Sequence, residues 1–510
     1  MKIETKNDDF FVTKIQTTML NTYLGQKGYT ILKSELGVQE QHVIREELTI
    51  KPYVPGSPAN NAAVTFPAYR ESPSKFYVPR YFGEKMFGPV KDYKIPEGHD
   101  INVAFSGDLR ENQKEIVQGY LTHVEKQNNY GGGLLEVPCG GGKTVMGINI
   151  ISKLQKKTLI IVHKEFLMNQ WIERIEQFLP GSRIGKIQGQ IIDIDEKDIV
   201  IGMLQSLSMK EYPASMFDSF GLTIIDEVHH ISSEVFSCAL FKIVTKYMLG
   251  LSATMNRKDG TTKVFKMFLG EVVYKGKRDV EHEVVVRAID YKVNDDEFNE
   301  IKYDFRGNPQ FSTMITKLCT YNPRSEFILR VLKDMFEENP TQQIMILAHN
   351  KCLLKYLFDA VSHREIAGGS VGYYIGGMKE AALKETETKK IVIATYSMAA
   401  EALDIKTLTT LIMATPKTDI EQSVGRILRE KHSQPIVVDI IDSHELFQKQ
   451  WIKRRAFYKK QNYKIVYNTN AKYLENASNW EVVYDPVSKK EKTNKDKDAL
   501  PGKCLIKLKK

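Results

Sequence analysis

Pro138-Cys139-Gly140-Gly141-Gly142-Lys143-Thr144 follows an apolar run at 134–137 and precedes a helical pattern. Strand, glycine-rich loop and helix in that order form a phosphate cradle. The glycines let backbone N–H groups converge on phosphate oxygens, and the helix N-terminus adds positive potential. In such a cradle Gly140, Gly141 and Gly142 supply the backbone, Lys143 reaches the β- and γ-phosphates of a nucleotide, and the Thr144 hydroxyl holds Mg²⁺. The strict spacing puts glycine where Val137 stands, so this is the PxGxGKT variant. A flexible glycine loop with an incidental lysine is the bland alternative, and the flanking strand and helix argue against it.

Asp226-Glu227-Val228-His229 comes directly after a second apolar run, 222–225. Its carboxylates therefore stand at the C-terminal edge of a buried strand, where α/β proteins place ligands. Asp226 there would hold Mg²⁺, and Glu227 would orient and deprotonate an attacking water. Such a tetrapeptide also occurs on surface helices. His229-His230 could be offered as a metal pair, but the HExxH spacing of a zinc site is absent. Gln422 through Arg429 (QSVGRILR) puts Arg426 and Arg429 at i and i+3 on one helix face, far along the chain from Lys143. Guanidinium forks suit the charge of a transferring phosphoryl group, and an arginine brought from another domain makes hydrolysis depend on closure. The competing reading is a surface helix with solvated arginines.

These residues need elements to hold them. A chain of 510 residues exceeds one ordinary core and should hold about three domains. With 42% hydrophobic and 26% charged residues, the composition is that of a globular protein. The apolar runs fall far short of the ~20 residues a membrane span needs. The first ten residues lack an apolar h-region, so an intracellular, soluble protein is expected. Five scattered cysteines, with no CxxC pair, argue against a disulfide framework or a zinc module. A net charge of +9 permits a polyanionic partner without requiring one.

Residues 1–105 read as a small β-rich accessory domain, with strands at 41–49 and 76–81 between prolines and glycines. From 106 to 278 strands and helices alternate: 133–137, a helix from Lys143, 158–162, a helix over 164–178, 198–202 and 222–225. That order implies right-handed crossovers and a parallel sheet. A charged stretch at 275–283 reads as a linker. The alternation resumes over 279–445, with helices at 324–337, 351–360 and 418–429 and strands at 343–348, 373–375, 390–394, 409–414 and 436–441. Residues 446–510 read as a basic extension. Within it, 449–467 interleaves Lys453, Arg454, Arg455, Lys459 and Lys460 with Trp451, Phe457, Tyr458 and Tyr463, which suits either stacking on nucleic acid or a packed amphipathic helix.

The order PCGGGKT, DEVHH, Leu251-Ser252-Ala253-Thr254 and QSVGRILR resembles superfamily 2 helicases over most of 105–440. The resemblance implies an α/β fold of two tandem RecA-like parallel-sheet domains, 106–278 binding ATP and 279–445 completing the helicase. Leu109 to Gln113 resembles the adenine-recognition element, implying that Gln113 reads the adenine edge and Arg110 helps hold the base. Ser252 and Thr254 resemble the motif that couples hydrolysis to strand movement. Residues 393–404 resemble motif V, implying Thr395 near a nucleic-acid phosphate and Asp404 near the ATP sugar, although Ala402 stands where many relatives have glycine. Finer likeness, in Val162-His163-Lys164 with Gln170-Trp171, in Arg257 to Gly260 and in Tyr373 to Gly377, is to the XPB-like branch. Its large-DNA-virus and phage members, including the poxvirus transcript-release helicase, look nearest. That branch implies ATP, Mg²⁺ and DNA, with transcription machinery as a further partner and the cytoplasm or virion as location. An RNA helicase is the rival within the class. A non-hydrolysing nucleic-acid-binding scaffold is the rival outside it, and the presence of Lys143, Glu227, Arg426 and Arg429 counts against it.

Overall fold

The computed structural model describes residues 20–53, 65–127, 130–138, 140–230, 233–255, 257, 259–276, 283–401, 405–428 and 434–487. The chain divides into two compact units at 278/279, within the stretch read as a linker. Among the described residues no helix is long and apolar enough to cross a membrane.

The first unit is built on an eight-stranded sheet. Across it run Ile191–Ile192, Ile184–Gln188, Ile199–Met203, Thr158–Val162, Leu222–Ile225, Tyr247–Ser252, Gly131–Glu136 and Val272–Lys275. Only the Ile191–Ile192 edge is antiparallel to its neighbour. These strands are near-continuous apolar runs because both faces are covered, as a parallel sheet requires. Ile160, Val162, Ile224, Leu249 and Leu251 point to one face, where the helices Glu111–Lys126, Lys143–Leu154 and Glu165–Phe178 pack. Leu159, Ile161, Ile225 and Met248 point to the other, against Phe236, Phe265 and Phe268.

That second face also receives the N-terminal region. Its five-stranded sheet, in the order Arg70–Glu71, Lys75–Val78, Gly28–Leu32, Thr22–Gly25 and Asp92–Tyr93, sends Leu24, Tyr29, Ile31 and Phe76 into the same apolar core as Ile161 and Phe268. The described residues of 20–105 thus have a sheet of their own but share their core with the nucleotide-type sheet. The expected strand at 41–49 is corrected to the helix Val38–Glu47. The Glu40 carboxylate accepts the Gly37 N–H at 2.7 Å to close its first turn, and Ile44 and Leu48, four apart, lie fully inside.

The second unit repeats the plan with Val371–Tyr374, Ile391–Thr395, Gln343–Ala348, Leu408–Met413, Ile436–Asp442, Val285–Tyr291, Lys464–Thr469 and Glu481–Tyr484 in spatial order. All neighbours are parallel except the last pair. The presumed extension from 446 is therefore corrected. The helix Glu445–Lys460 packs on the sheet, and Lys464–Thr469 is hydrogen-bonded along Val285–Tyr291 inside it. Trp451, Tyr458 and Tyr463 enter the core. Arg454, fully buried, makes a two-pronged bond with Asp439 at 2.8 Å on each prong and also donates to the Lys417 carbonyl. The packed-helix reading of 449–467 holds for these four, leaving Lys453, Lys459 and Lys460 on the exposed face. Residues 488–510 lie outside the described part.

Candidate ATP site

The helix Lys143–Leu154 starts at Gly142, which adopts the left-handed conformation (φ 83°, ψ 35°). A Cβ at Gly142 would stand 2.3 Å from Gln113 Nε2, and one at Gly141 would stand 2.5 Å from Val137 Cγ1. The close approach at Gly142 is made by a buried side chain that ties the loop down. Gln113 donates Nε2–H to the Gly141 carbonyl at 3.0 Å and accepts the Arg110 N–H on Oε1 at 3.0 Å. A primary amide has two donors and two acceptor lone pairs, so Gln113 keeps one of each while bracing the loop. Arg110 itself is exposed at the start of the helix Glu111–Lys126. Cys139 lies outside the described residues. Gly142→Ala adds a methyl against Gln113 and forces a non-glycine residue to positive φ. Nucleotide affinity is expected to fall ~10-fold or more, equivalent to about 1.4 kcal/mol. Titration with a fluorescent ATP analogue checks this, and unchanged affinity would contradict the assigned loop.

The acidic pair sits where the edge of the sheet predicts. Asp226 is buried directly after Leu222–Ile225 and donates its backbone N–H to the Ile161 carbonyl at 3.0 Å. Its Oδ1 accepts the Glu227 N–H at 2.9 Å and its Oδ2 accepts the Trp171 indole N–H at 2.9 Å. Burial, and then the adjacent Glu227 carboxylate, hold the Asp226 carboxyl above the usual carboxylate range, with Lys143 and the indole pulling the other way. Glu227 has φ 49°. This left-handed conformation costs a non-glycine residue ~1–2 kcal/mol and is characteristic of functional turns. It aims the carboxylate at Lys143, with Nζ to Oε1 at 3.1 Å. Thr144 is in the first turn of the same helix as Lys143. The donors Asp226 and Thr144 are hard oxygens, the kind Mg²⁺ selects, and no sulfur or imidazole is needed to complete the set.

From Glu227 a chain of polar contacts leads to the next strand end. His229 Nδ1 lies 3.3 Å from Glu227 Oε2 and 2.6 Å from Ser252 Oγ. Ser252 closes Tyr247–Ser252, beside the strand that leads into the glycine loop, and its hydroxyl donates to the Thr254 carbonyl at 2.6 Å. Arg257 fixes the far side by donating to the His229 carbonyl at 2.7 Å while forking onto Asp259 at 3.0 and 2.6 Å. That guanidinium holds the Asp259 carboxyl down at about 2. Lys143, Glu227, His229, Ser252 and Thr254 are thus a run of close polar neighbours, in which the Glu227–His229 step is a 3.3 Å approach and not a hydrogen bond. From the sequence His229 is weighed only as a metal ligand, and its place in DEVH is the signal for the position between Glu227 and Ser252 that folding gives it. The 55-residue separation hid the Trp171 to Asp226 bond.

In the second unit Thr395 ends Ile391–Thr395, its hydroxyl 3.3 Å from Ser397 Oγ. Next to it, His349 and Tyr396 approach with ring centroids 4.8 Å apart, and Thr415 Oγ1 lies 2.8 Å from His349 Nδ1. Arg324, fully buried, ties this edge together through Asp442 at 2.6 and 2.9 Å and the Ala414 carbonyl at 2.8 Å. None of these contacts is read from the sequence. The helix expected over 418–429 is corrected to the shorter Glu421–Gly425, followed by a 3₁₀ turn, Arg426–Leu428. Arg426 is buried at 7% exposure in that turn. Arg429 and Asp404 lie outside the described residues.

Residues 106–257 match the family described as type III restriction enzyme, res subunit. A protein of Acanthamoeba polyphaga mimivirus, provisionally named an ATP-dependent RNA helicase, is 34% identical over 461 residues, covering 88% of this chain and 86% of that protein. The chain belongs to the superfamily 2 helicases of large DNA viruses. An African swine fever virus protein with the same provisional name is 29% identical over 401 residues, covering 73% of this chain and 77% of that protein. A protein of Invertebrate iridescent virus 6, provisionally named a helicase, is 26% identical over 389 residues, covering 72% and 85%. The crystal structure of T4 UvsW aligns at TM-score 0.34 and 17% identity, over 85% of this chain and 96% of that one. The protein is an ATP-hydrolysing helicase with two RecA-like domains, and nucleic acid is its partner.

Proposed function

We propose that this helicase is a DNA translocase whose single ATP site is shared by its two RecA-like domains. The observation that carries the reading is the run of close polar neighbours from Lys143 through Glu227 and His229 to Ser252, which joins the nucleotide loop to the strand end that coupling would move. Lys143, Gly140, Gly141 and Gly142 hold the phosphates, while Gln113 and Arg110 hold the base. Asp226 and Thr144 hold Mg²⁺, which when bound screens the phosphate charge. Lys143 Nζ lies within ion-pair reach of Glu227 Oε1, which holds the two side chains at the same end of the site. The Glu227 carboxylate orients the attacking water and takes its proton. Arg426 and Arg429 reach the γ-phosphate from the second domain, and Asp404 meets the ATP sugar. Thr395 contacts a phosphate of the strand, and Ser252 and Thr254 pass the change at Glu227 to it through His229.

DNA is favoured by the likeness to the XPB-like branch, and release of transcripts, repair or recombination are the processes that fit it, with transcription machinery as a partner. The names carried by the mimivirus and African swine fever virus relatives favour RNA as the second reading. ATPase rates measured in parallel with single-stranded DNA, duplex DNA and RNA separate the two. DNA is expected to stimulate turnover well above RNA, and stimulation by RNA alone would overturn the DNA reading.

A further inference from the structure

We infer that Trp171 is a positioning residue for divalent-metal binding: its indole N–H fixes the plane of the Asp226 carboxylate. The inference rests on the metal-holding role of Asp226 proposed above. Trp171 lies on the helix Glu165–Phe178 with Leu167, Met168 and Ile175, a stripe that packing alone would satisfy with any large apolar side chain. What distinguishes tryptophan here is the N–H, a donor with no acceptor capacity that must find a partner when buried. Trp171 is 1% exposed, and its partner is Asp226 Oδ2 at 2.9 Å.

The indole cannot swing away. It lies flush on Gly147 of the helix that begins with Lys143, where an added Cβ would meet Trp171 Cη2 at 3.0 Å and Leu251 Cδ1 at 3.3 Å. One immobile ring therefore touches the nucleotide-loop helix and the acidic strand end together. Asp226 Oδ1 is held by the Glu227 N–H at 2.9 Å, so each carboxylate oxygen has one donor and keeps a lone pair for a cation, in an orientation neither oxygen can change alone. Partners of this kind, one bond removed from the metal, typically contribute 10- to 100-fold in metal affinity.

The test uses the full chain with Trp171 replaced by β-(3-benzothienyl)alanine, which keeps the ring shape and exchanges N–H for sulfur, beside Trp171→Phe. Mn²⁺ binding is titrated by electron paramagnetic resonance with ADP present, and ADP affinity is measured separately in EDTA. The Mn²⁺ Kd is expected to rise about 10- to 100-fold in both variants while metal-free ADP affinity is unchanged. An isosteric variant whose Mn²⁺ Kd stays within about twofold of the parent would reduce Trp171 to a packing residue and overturn the inference. Asp226→Asn separates the two levels. If it loses Mn²⁺ while the isostere does not, only the role of Trp171 fails. If it binds Mn²⁺ normally, the role of Asp226 fails and the inference with it.

Discussion

Arg426→Ala is expected to lower nucleic-acid-stimulated ATP hydrolysis by ~10³-fold, about 4 kcal/mol of transition-state stabilisation, while ATP binding by the first domain stays near that of the parent. Arg426 follows Lys143 by 283 positions and belongs to the other compact unit. In the site proposed above it meets ATP only on closure, which nucleic acid promotes. A guanidinium in that position binds the transition state more strongly than the ground state, so its removal falls on turnover and spares affinity. Arg426 is also 7% exposed, and burial of that degree means that truncation could loosen the second domain. Arg426→Lys addresses this, because it keeps the positive charge and most of the volume but loses the planar fork. Both variants should lose stimulated turnover with circular dichroism unchanged. A folded Arg426→Ala protein with stimulated rates like the parent's would remove the arginine from the mechanism.

Glu227→Gln should lower hydrolysis by ~10²- to 10⁴-fold, the usual contribution of a positioned general base, and should still bind ATP. The amide nearly matches the carboxylate in shape but cannot take a proton from water. The same substitution breaks the ion pair with Lys143 and exchanges the contact with His229. Loss of that pair frees Lys143 for phosphate, so ATP affinity should hold or tighten. Rapid mixing with a fluorescent ATP analogue and a phosphate-release assay measure the two effects separately. Parental turnover in Glu227→Gln would reassign the base.

The parts of this molecule that the sequence disclosed are those whose signals are local. The glycine loop, the acidic strand end and the alternating strands and helices each depend on residues within a few positions of one another, and the structure places Leu222–Ile225, Thr158–Val162 and Gln343–Ala348 where the apolar runs stand. What was hidden depends on partners far along the chain. Lys464–Thr469 pairs with Val285–Tyr291, nearly the whole second domain earlier, and its flanking lysines made the segment look like a solvated extension. Composition leaves Arg454 open between a nucleic-acid contact and a packed helix, and Asp439 beside it inside the core decides for the helix. The helix Val38–Glu47 lies in a region whose segments between prolines and glycines read as strands. A spacing of four, as from Ile44 to Leu48, keeps two residues on one face in a helix and in a strand alike, so what marks the helix is the Glu40 carboxylate on the Gly37 N–H at its first turn. At the site, DEVH announced the carboxylates, but which atoms they touch was set by Trp171 and Ser252, brought in by folding.

The claim that both domains build one ATP site is tested most directly by the affinity of the DNA-bound protein for ADP alone and for ADP with aluminium fluoride, in the parent and in Arg426→Ala. ADP affinity is expected to be nearly equal in the two proteins, and the complex with the transition-state mimic ~10³-fold weaker in the variant. Equal trapping of the mimic by both would contradict the shared site.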